Sequence, residues 1–340
     1  MSFRHLFGHQ RQVRLLSRAI ARETVPPTLL FAGPTGIGKW RVAQAVAQAM
    51  NCLAPIRSDD SGALAYDACG ACRACDRIAR GVHVDVVSVE PDEKASIKID
   101  VVRDVLARTA YRPFEGRRRA ILIREADTLE TQAQNALLKS LEEPPPATVF
   151  ILTSAVPGAL LPTVRSRSMT MRFARLTVDE VAGALVRDHE ATDADARAMA
   201  GLADGSIGQA LALGASDVAV LRETALLMLQ ESARRTDVQG RLQVAAAVVG
   251  SGGRKERPRT DLAMILRLTA SMLRDIEAIN GGADSRVLAN PVVADELSAV
   301  ARDFSGDRAR DAFAAVDRAL AALERNAATK AVAEWLATQI

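Results

Sequence analysis

Gly33-Pro34-Thr35-Gly36-Ile37-Gly38-Lys39-Trp40 is the stretch that decides the reading of this chain. The apolar run Thr28-Leu29-Leu30-Phe31-Ala32 precedes it and reads as a short buried strand, and Arg41 to Met50 follows as helix-forming sequence. A glycine loop between strand and helix lets backbone N–H groups turn inward around phosphate oxygens, and a lysine adds a point charge. An ordinary strand-to-helix turn needs neither the full glycine spacing nor the lysine. Gly33, Gly36, Gly38 and Lys39 are therefore the candidate phosphate-binding residues. The pattern next calls for Ser or Thr, whose hydroxyl would hold Mg²⁺. Here the residue is Trp40, which has no oxygen to give a metal. The loop can cradle ATP or ADP phosphates but is poorly equipped for hydrolysis, and no Mg²⁺ site is expected.

A second departure agrees with the first. Ala120-Ile121-Leu122-Ile123 reads as an apolar strand that should end in the acidic pair of an ATPase, one acid on the metal shell and one polarising water. The chain continues Arg124-Glu125-Ala126-Asp127. Arg124 puts a positive charge at the metal-side position, while Glu125 keeps the second acid. An ATPase fold retained for a non-catalytic purpose is the reading that follows.

All four cysteines lie close together in sequence, at Cys52, Cys69, Cys72 and Cys75. The last three form a C-x2-C-x2-C run, with small Gly70, Ala71 and Ala74 between them. Four thiolates with none to spare fit a closed, structural tetrahedral Zn²⁺ site. A disulfide pair and an iron–sulfur cluster are the alternatives. His83 reads as a surface or loop histidine outside the shell.

At 340 residues the chain should hold about two or three domains. Apolar residues make up 49% and aromatics only 4%, which favours a helix-rich protein over a β-sandwich. No apolar run approaches membrane-spanning length, and Met1-Ser2-Phe3-Arg4-His5 lacks a signal core, so a cytoplasmic location is expected. A net charge of +3 is too small to argue for nucleic-acid binding by itself. Sparse aromatics and the lack of a basic stripe count against a zinc protein that reads nucleic acid.

Strand and helix alternate to about residue 173. Val84–Val89 and Thr148–Thr153 read as strands, Ile99–Ala110 and Thr131–Leu141 as helices, the last stopping at Pro144-Pro145-Pro146. The expected fold is a parallel α/β sheet with helices on both faces. Thr177-Val178-Asp179-Glu180 is a capping box, Thr192 could open a second helix, and Gly205-Ser206 precedes a third, Gln209 to Leu213. Longer helices follow. Ile265, Leu268, Met272 and Ile276 mark one apolar stripe, and Phe313, Val316, Leu320 and Leu323 another. Ser251 to Arg259 reads as a polar, solvated break between them. The expected division is 1–173 for the α/β domain with a zinc module at about 52–76, 174–215 for a three-helix lid, and 216–340 for an all-helical oligomerisation domain.

This order, with Gln134-Asn135-Ala136-Leu137-Leu138-Lys139-Ser140-Leu141-Glu142-Glu143-Pro144-Pro145, the cysteine module and Thr163-Val164-Arg165-Ser166-Arg167-Ser168, resembles the bacterial clamp-loader family of AAA+ proteins over nearly the whole chain. The resemblance implies an α/β P-loop (AAA+) domain with a Cys₄ zinc insert, a three-helix lid and an all-α collar. It implies partners too: gamma/tau and delta subunits in a hetero-oligomeric ring of the DNA polymerase III holoenzyme, with the sliding clamp and primer-template DNA met through that complex. A motor subunit of the gamma/tau type would carry Ser or Thr after Lys39, Asp at 124, and a lid Arg where this chain has Ile207-Gly208-Gln209. All three departures remove ATPase parts, so a non-hydrolysing subunit is expected, with polymerase activity in another subunit. Arg167 matches the family's arginine finger, which stabilises phosphate charge in a neighbour's site. The motif's cysteine is Ser168 here, and Arg165 is the weaker candidate.

Overall fold

A computed structural model describes residues 2–58, 64–92, 95–109, 111–234, 258–283, 288–324 and 327–340. They form two compact units. The first is Met1–Ala184 with Asp204–Gln209, the second Leu185–Ala203 with Ala210–Ile340.

The first unit is built on a five-stranded parallel sheet. Its strands are β1 (Thr28–Ala32), β4 (Val86–Val89), β5 (Arg119–Ile123), β6 (Thr148–Ser154) and β7 (Met169–Arg172), in the order β4-β5-β6-β1-β7. Leu30 pairs with Leu152, Ile121 with Phe150 and Val89 with Ile123. β1, β5 and β6 are buried along their whole length, as parallel strands covered on both faces must be. Alternate residues serve opposite faces. Leu29, Phe31, Leu122 and Ile151 belong to one core, Leu30, Ile121, Ile123 and Leu152 to the other. Helices α1 (Gln10–Ala21) and α2 (Lys39–Asn51) cover the first face, and α4 (Ile99–Thr109) and α5 (Thr131–Glu142) the second. The alanines at 43, 45, 47 and 49 are all fully buried, and since alternate positions point to opposite sides of a helix, α2 is covered both by the sheet and by its neighbours.

Between α2 and β4 sit a two-stranded hairpin, β2 (Ile56–Arg57) with β3 (Tyr66–Asp67), and the short helix α3 (Arg73–Ala79). The expected strand at Val84 begins only at Val86, because Val84 is exposed and Asp85 turns inward to bind a loop. Strand β7 was not expected. Its Met169-Thr170-Met171-Arg172 carries no apolar run and is mostly exposed, since it forms the sheet edge beside β1. A five-residue helix, α6 (Pro162–Ser166), precedes it. The expected helix at Ile99 ends at Thr109, and Ala110 lies outside the described residues.

α7 (Val178–His189) opens on the capping box: Glu180 Oε2 accepts from Thr177 N–H at 2.9 Å, and Thr177 Oγ1 accepts from Glu180 N–H at 3.2 Å. Thr192 caps α8 (Asp193–Leu202), and α9 spans Ile207–Leu213, two residues earlier than its apolar pattern suggested. The second unit holds helices and no strand among its described residues. Helix Pro258–Asn280 packs on Ala215–Ala233, Ala294–Ala301, Asp307–Glu324 and Thr329–Gln339. Ile265, Leu268, Met272 and Ile276 are buried, as the stripe required. In the second stripe Val316 and Leu323 are buried, but Phe313 is 38% exposed, its ring 5.8 Å from the Arg274 guanidinium. Of the polar break, 251–257 lies outside the described residues, while Pro258 and Arg259 already belong to helix, Pro being suited to a first turn. Among the described residues no helix is long and apolar enough to cross a membrane.

Candidate functional site

Both candidate sites sit at the ends of α2. At its N-terminus the loop reaches Lys39 through three glycines with positive φ: Gly33 at 157°, Gly36 at 75° and Gly38 at 100°. Lys39 is 8% exposed, and its Nζ donates to the Gly33 and Pro34 carbonyls at 2.5 and 2.6 Å. Burial pushes the Lys39 ammonium below its ordinary value, against the pull of Asp127 and Glu125. His9, in the left-handed region at φ 53°, places Nε2 2.8 Å from the Ile37 carbonyl, which makes that nitrogen the donor. Its ring lies edge-on to Phe173.

The opening residues of α9 close on this loop. Ser206 Oγ donates to Thr35 O at 3.0 Å, and Gly208 N–H donates to Gly36 O at 3.0 Å. A Cβ on Gly36 would stand 2.2 Å from Ser206 Oγ, and one on Gly208 would stand 3.0 Å from Gly36 Cα. The position that follows Ile207 thus lacks a side chain, and backbone seals against backbone.

The two departures from the ATPase pattern meet in space. The Arg124 guanidinium lies 5.9 Å from the Trp40 ring centroid, within cation–π range. Arg124 also pairs with Glu90 at 3.2 Å and Glu125 at 3.7 Å. Glu125 itself is left-handed at φ 49° and donates its N–H to Thr153 Oγ1 at 3.1 Å. A cation and an indole thus occupy the two positions at which the ATPase pattern calls for oxygens.

At the C-terminus of α2 the four cysteines converge. Cys52 follows Asn51 directly, Cys72 is the residue before α3, and Cys75 lies in its first turn. Their sulfurs all lie within 4.8 Å of one another, with Cys52 and Cys72 at 4.0 Å. Four sulfurs at about 2.3 Å from one ion would be spaced by a little under 4 Å, so the set is close to a tetrahedral shell. Gly70, at φ 77°, makes the turn between Cys69 and Cys72. N–H groups point at sulfur: Cys69 N to Cys52 Sγ at 3.2 Å and Cys72 N to Cys69 Sγ at 3.3 Å. Burial drives the Cys75 and Cys52 thiols up. At Cys72 burial also pushes up, but hydrogen bonds from the Cys75 and Leu53 backbone and the neighbouring thiols bring it to about 6. The donor set fits a soft or borderline metal ion.

A braced loop supports this end. The Asp85 carboxylate, fully buried, accepts N–H bonds from Phe114, Glu115 and Gly116, each at 2.8 Å, and pairs with Arg119 at 3.0 Å. Burial raises its pKa, yet these donors outweigh burial and hold it below the ordinary carboxylate range. Arg118 N–H donates to Asn51 Oδ1 at 3.0 Å and Arg117 to the Cys52 carbonyl, tying the loop to the helix end. His83 belongs to the same cluster. It lies in a loop, but it is buried rather than at the surface, with Nδ1 accepting from Asp85 N–H at 3.2 Å.

Arg167 follows α6 and is exposed, pairing with Glu142 at the end of α5 and donating to Thr163 O at 3.1 Å. Ser168 is buried, its hydroxyl bonded to Val164 O at 2.8 Å. The structure therefore gathers Gly33, Gly36, Gly38 and Lys39 at one end of α2, and the four cysteines at the other. Arg167 stands on a separate surface, with its own acid. His9, Asp127 and Ser206, which carry no site role in the sequence pattern, meet the loop or its lysine here. Each acts on the loop from a distant part of the chain, and no local motif announces that.

Fold and site together define a parallel-sheet α/β protein with a glycine- and lysine-bearing loop before α2 and four clustered cysteines that could hold a metal ion. Residues 8–177, half of the chain, match the family model described as DNA polymerase III, delta subunit, and the chain belongs to that family. It is 40% identical over 139 residues to DNA polymerase III subunit delta' of Pseudomonas aeruginosa, covering 41% of this chain and 40% of that protein. It is 30% identical over 217 residues to DNA polymerase III subunit tau of Salmonella typhimurium, covering 62% of this chain and 32% of that one. The matches thus span about a third to two fifths of these relatives' own length. Among solved structures the Thermotoga maritima RuvB Holliday junction branch migration motor is similar at 20% identity and a TM-score of 0.42, covering 88% of this chain and 87% of that one. At that score the likeness carries no functional argument.

Proposed function

We propose that this chain is the delta-prime-type subunit of a DNA polymerase III clamp loader. It helps to load the sliding clamp onto primed DNA, does not hydrolyse ATP itself, and donates Arg167 to the nucleotide site of a neighbouring motor subunit. The observation that carries the reading is the contact between Trp40 and Arg124, which puts both replaced metal-side groups against each other beside an intact lysine. On this reading gamma/tau and delta subunits complete a hetero-oligomeric ring. Residues 1–173 form the P-loop domain, 174–215 the lid and 216–340 the collar that assembles the ring. Zn²⁺ on Cys52, Cys69, Cys72 and Cys75 is structural, since four protein ligands leave no open position for a substrate. Glu125 keeps the second acid of the site, acting on Lys39 by its charge while it pairs with Arg124.

A second reading, an active gamma/tau-type motor, is favoured by the longer stretch shared with tau proteins. Trp40 and Arg124 count against it. Turnover separates the two. The purified chain should hydrolyse no ATP above background, and robust hydrolysis would establish the motor reading instead. In the reconstituted complex, loss of an arginine finger costs on the order of 10³-fold at the site it serves. Arg167→Ala should therefore lower DNA- and clamp-stimulated hydrolysis while the ring still assembles, with a partial total loss because one site of several is affected. Arg165→Ala is the control. Breaking the surface pair with Glu142 costs at most about 1 kcal/mol, so the finger is free to leave it. Wild-type turnover in the Arg167→Ala complex would remove the trans role.

A further inference from the structure

The outward face of α1 is a one-sided charged surface, which corrects the expectation that the chain carries no basic stripe. Arg11, Arg14, Arg18 and Arg22 are all exposed, and the stretch from Gln10 to Arg22 contains no acidic residue. At 100° per residue these four positions fall within about 80° of one another, a single narrow stripe. Val13, Leu16 and Ile20 turn the opposite way, into the core. None of the four arginines makes an ion pair among the described residues, whereas arginines on other helices find acids, as Arg80 does with Asp76 and Arg310 with Asp307. Arg11, Arg14, Leu15 and Arg18 line a shallow groove of about 290 Å³. Beside it, Gln12 Nε2 donates to the carbonyl of Arg172 at 2.7 Å, which fixes the exposed Arg172 of edge strand β7 next to the stripe.

We propose that this face binds the phosphodiester backbone of a nucleic acid. Four unneutralised guanidinium groups on one rigid helix repel one another unless an anion covers them. The stripe runs from Arg11 to Arg22, the residue that caps α1, eleven steps or roughly 16 Å along the helix. Duplex DNA carries one phosphate per strand for about every 3.4 Å of its axis, so roughly five phosphates of one strand lie along that length. Arginine suits phosphate through its planar fork of donors. The face offers no aromatic ring, and Leu15 is its one large apolar side chain, so base stacking has no platform here. Recognition is therefore of backbone and is indifferent to sequence. This goes beyond the proposed place in a clamp loader, where DNA is met through the assembled ring, and it stands on the isolated chain.

The test is fluorescence anisotropy of the full chain with a labelled duplex of about 20 base pairs, and with a single strand of equal length, across a salt series. Each phosphate neutralised contributes about 0.9 to the slope of log K against log salt for duplex and about 0.7 for a single strand. Changing Arg11, Arg14 and Arg18 together to alanine should weaken binding and flatten the duplex slope by about 2.7, or the single-strand slope by about 2.1. The larger effect identifies which form of backbone the stripe prefers. The same three positions changed to lysine should keep most of the slope, and the melting temperature should not move in either variant. Arg80→Ala, which removes an acid-paired arginine, should leave the slope alone. An unchanged slope in the alanine variant overturns the proposal, as does a wild-type chain that binds neither oligonucleotide. Polyglutamate bound as tightly as DNA, with the same loss in the variant, would reassign the stripe to an acidic protein segment.

Discussion

The two ends of α2 pose the same question to a metal ion and answer it differently. At Asn51 the helix runs into Cys52, and three more cysteines come within 4.8 Å, a full set of soft ligands. At Lys39 it begins in a loop whose glycines and lysine are intact, but whose metal-side neighbours are an indole and a guanidinium 5.9 Å apart. A closed structural metal site needs its full ligand set, because one missing ligand opens the shell to water. A glycine loop has a second reason to exist. A Cβ at Gly33 would stand 2.2 Å from the Phe173 carbonyl, and one at Gly36 equally close to Ser206 Oγ. The backbone packing of β7 and α9 therefore demands these glycines whether or not a phosphate ever binds. Glycine spacing alone is weaker evidence for nucleotide chemistry than a complete cysteine set is for metal.

The largest effect expected from breaking this contrast is at the cysteine end. The purified chain should contain one zinc ion per chain by metal analysis. Structural zinc contributes roughly 10–16 kcal/mol of apparent binding energy in small zinc modules. Chelation, or Cys72→Ser, should thus open the segment around Cys52 to Ala79 to proteolysis while the described helices of the second unit keep their circular dichroism signal. Iron in the metal analysis, or a metal-free chain with the same protease resistance, would remove the structural-zinc assignment.

The next effect is at the brace beside that end. Asp85→Ala would leave Arg119, 6% exposed, without its acid and three N–H groups without their acceptor. Breaking one side of a buried pair costs about 3–5 kcal/mol. Acid should act in the same sense. The folded Asp85 carboxyl lies below its ordinary value of about 3.9, so its stabilisation is complete above that value and is lost as pH falls through the folded one. Denaturation in urea should show the wild-type advantage over Asp85→Asn shrinking below about pH 4. A difference that is constant down to strong acid would mean the carboxylate is not the element that matters.

Much of this was legible in the sequence for physical reasons that can be named. Thr28–Ala32 and Thr148–Thr153 are continuous apolar runs, and strands buried on both faces leave that signature whatever surrounds them. The convergence of the cysteines was legible because a C-x2-C-x2-C run with small residues between turns its sulfurs toward one point. Three kinds of feature were not. Met169–Arg172 becomes a strand only because β1 offers it an open edge, so its own residues carry no pattern. His83 and Asp85 are buried polar groups in a loop, and their burial is tolerable only because the 114–116 backbone, Arg119, Glu115 and each other supply partners. The closure of α9 on the phosphate loop joins residues 171 apart in sequence and rests on a serine and a glycine, which no local rule singles out.

Closure of that loop yields a smaller and more local prediction. Gly36→Ala forces a side chain into the left-handed region and against Ser206 Oγ. A strained backbone of this kind costs roughly 1–3 kcal/mol. Pairing it with Ser206→Gly should recover the part due to contact and leave the part due to φ, so urea denaturation of the two variants separates the terms. If the pair is no more stable than Gly36→Ala alone, the hydroxyl is not what presses on the loop.

The smallest effect, and the one that speaks most directly to the phosphate end, is the coupling between Trp40 and Arg124. A cation over an aromatic face is worth about 0.5–1 kcal/mol at an exposed site. Arg124→Ala also loses the pairs with Glu90 and Glu125, and Trp40→Ala also loses packing against the core, so neither single variant measures the contact. The double-mutant cycle does, because those other losses appear in both of its parallel edges and cancel. A coupling of about 0.5–1 kcal/mol in urea denaturation would show that the two replaced positions now hold each other, a structural use for groups that the ATPase pattern reserves for metal. The companion variant Trp40→Ser with Arg124→Asp restores both metal-side oxygens. It should gain a Mg²⁺-dependent rise in melting temperature with ADP that the wild-type chain lacks. Zero coupling together with an unchanged response to Mg²⁺ would mean that the two positions drifted independently, and that what shuts the phosphate end lies in the seal made by Ser206 and Gly208.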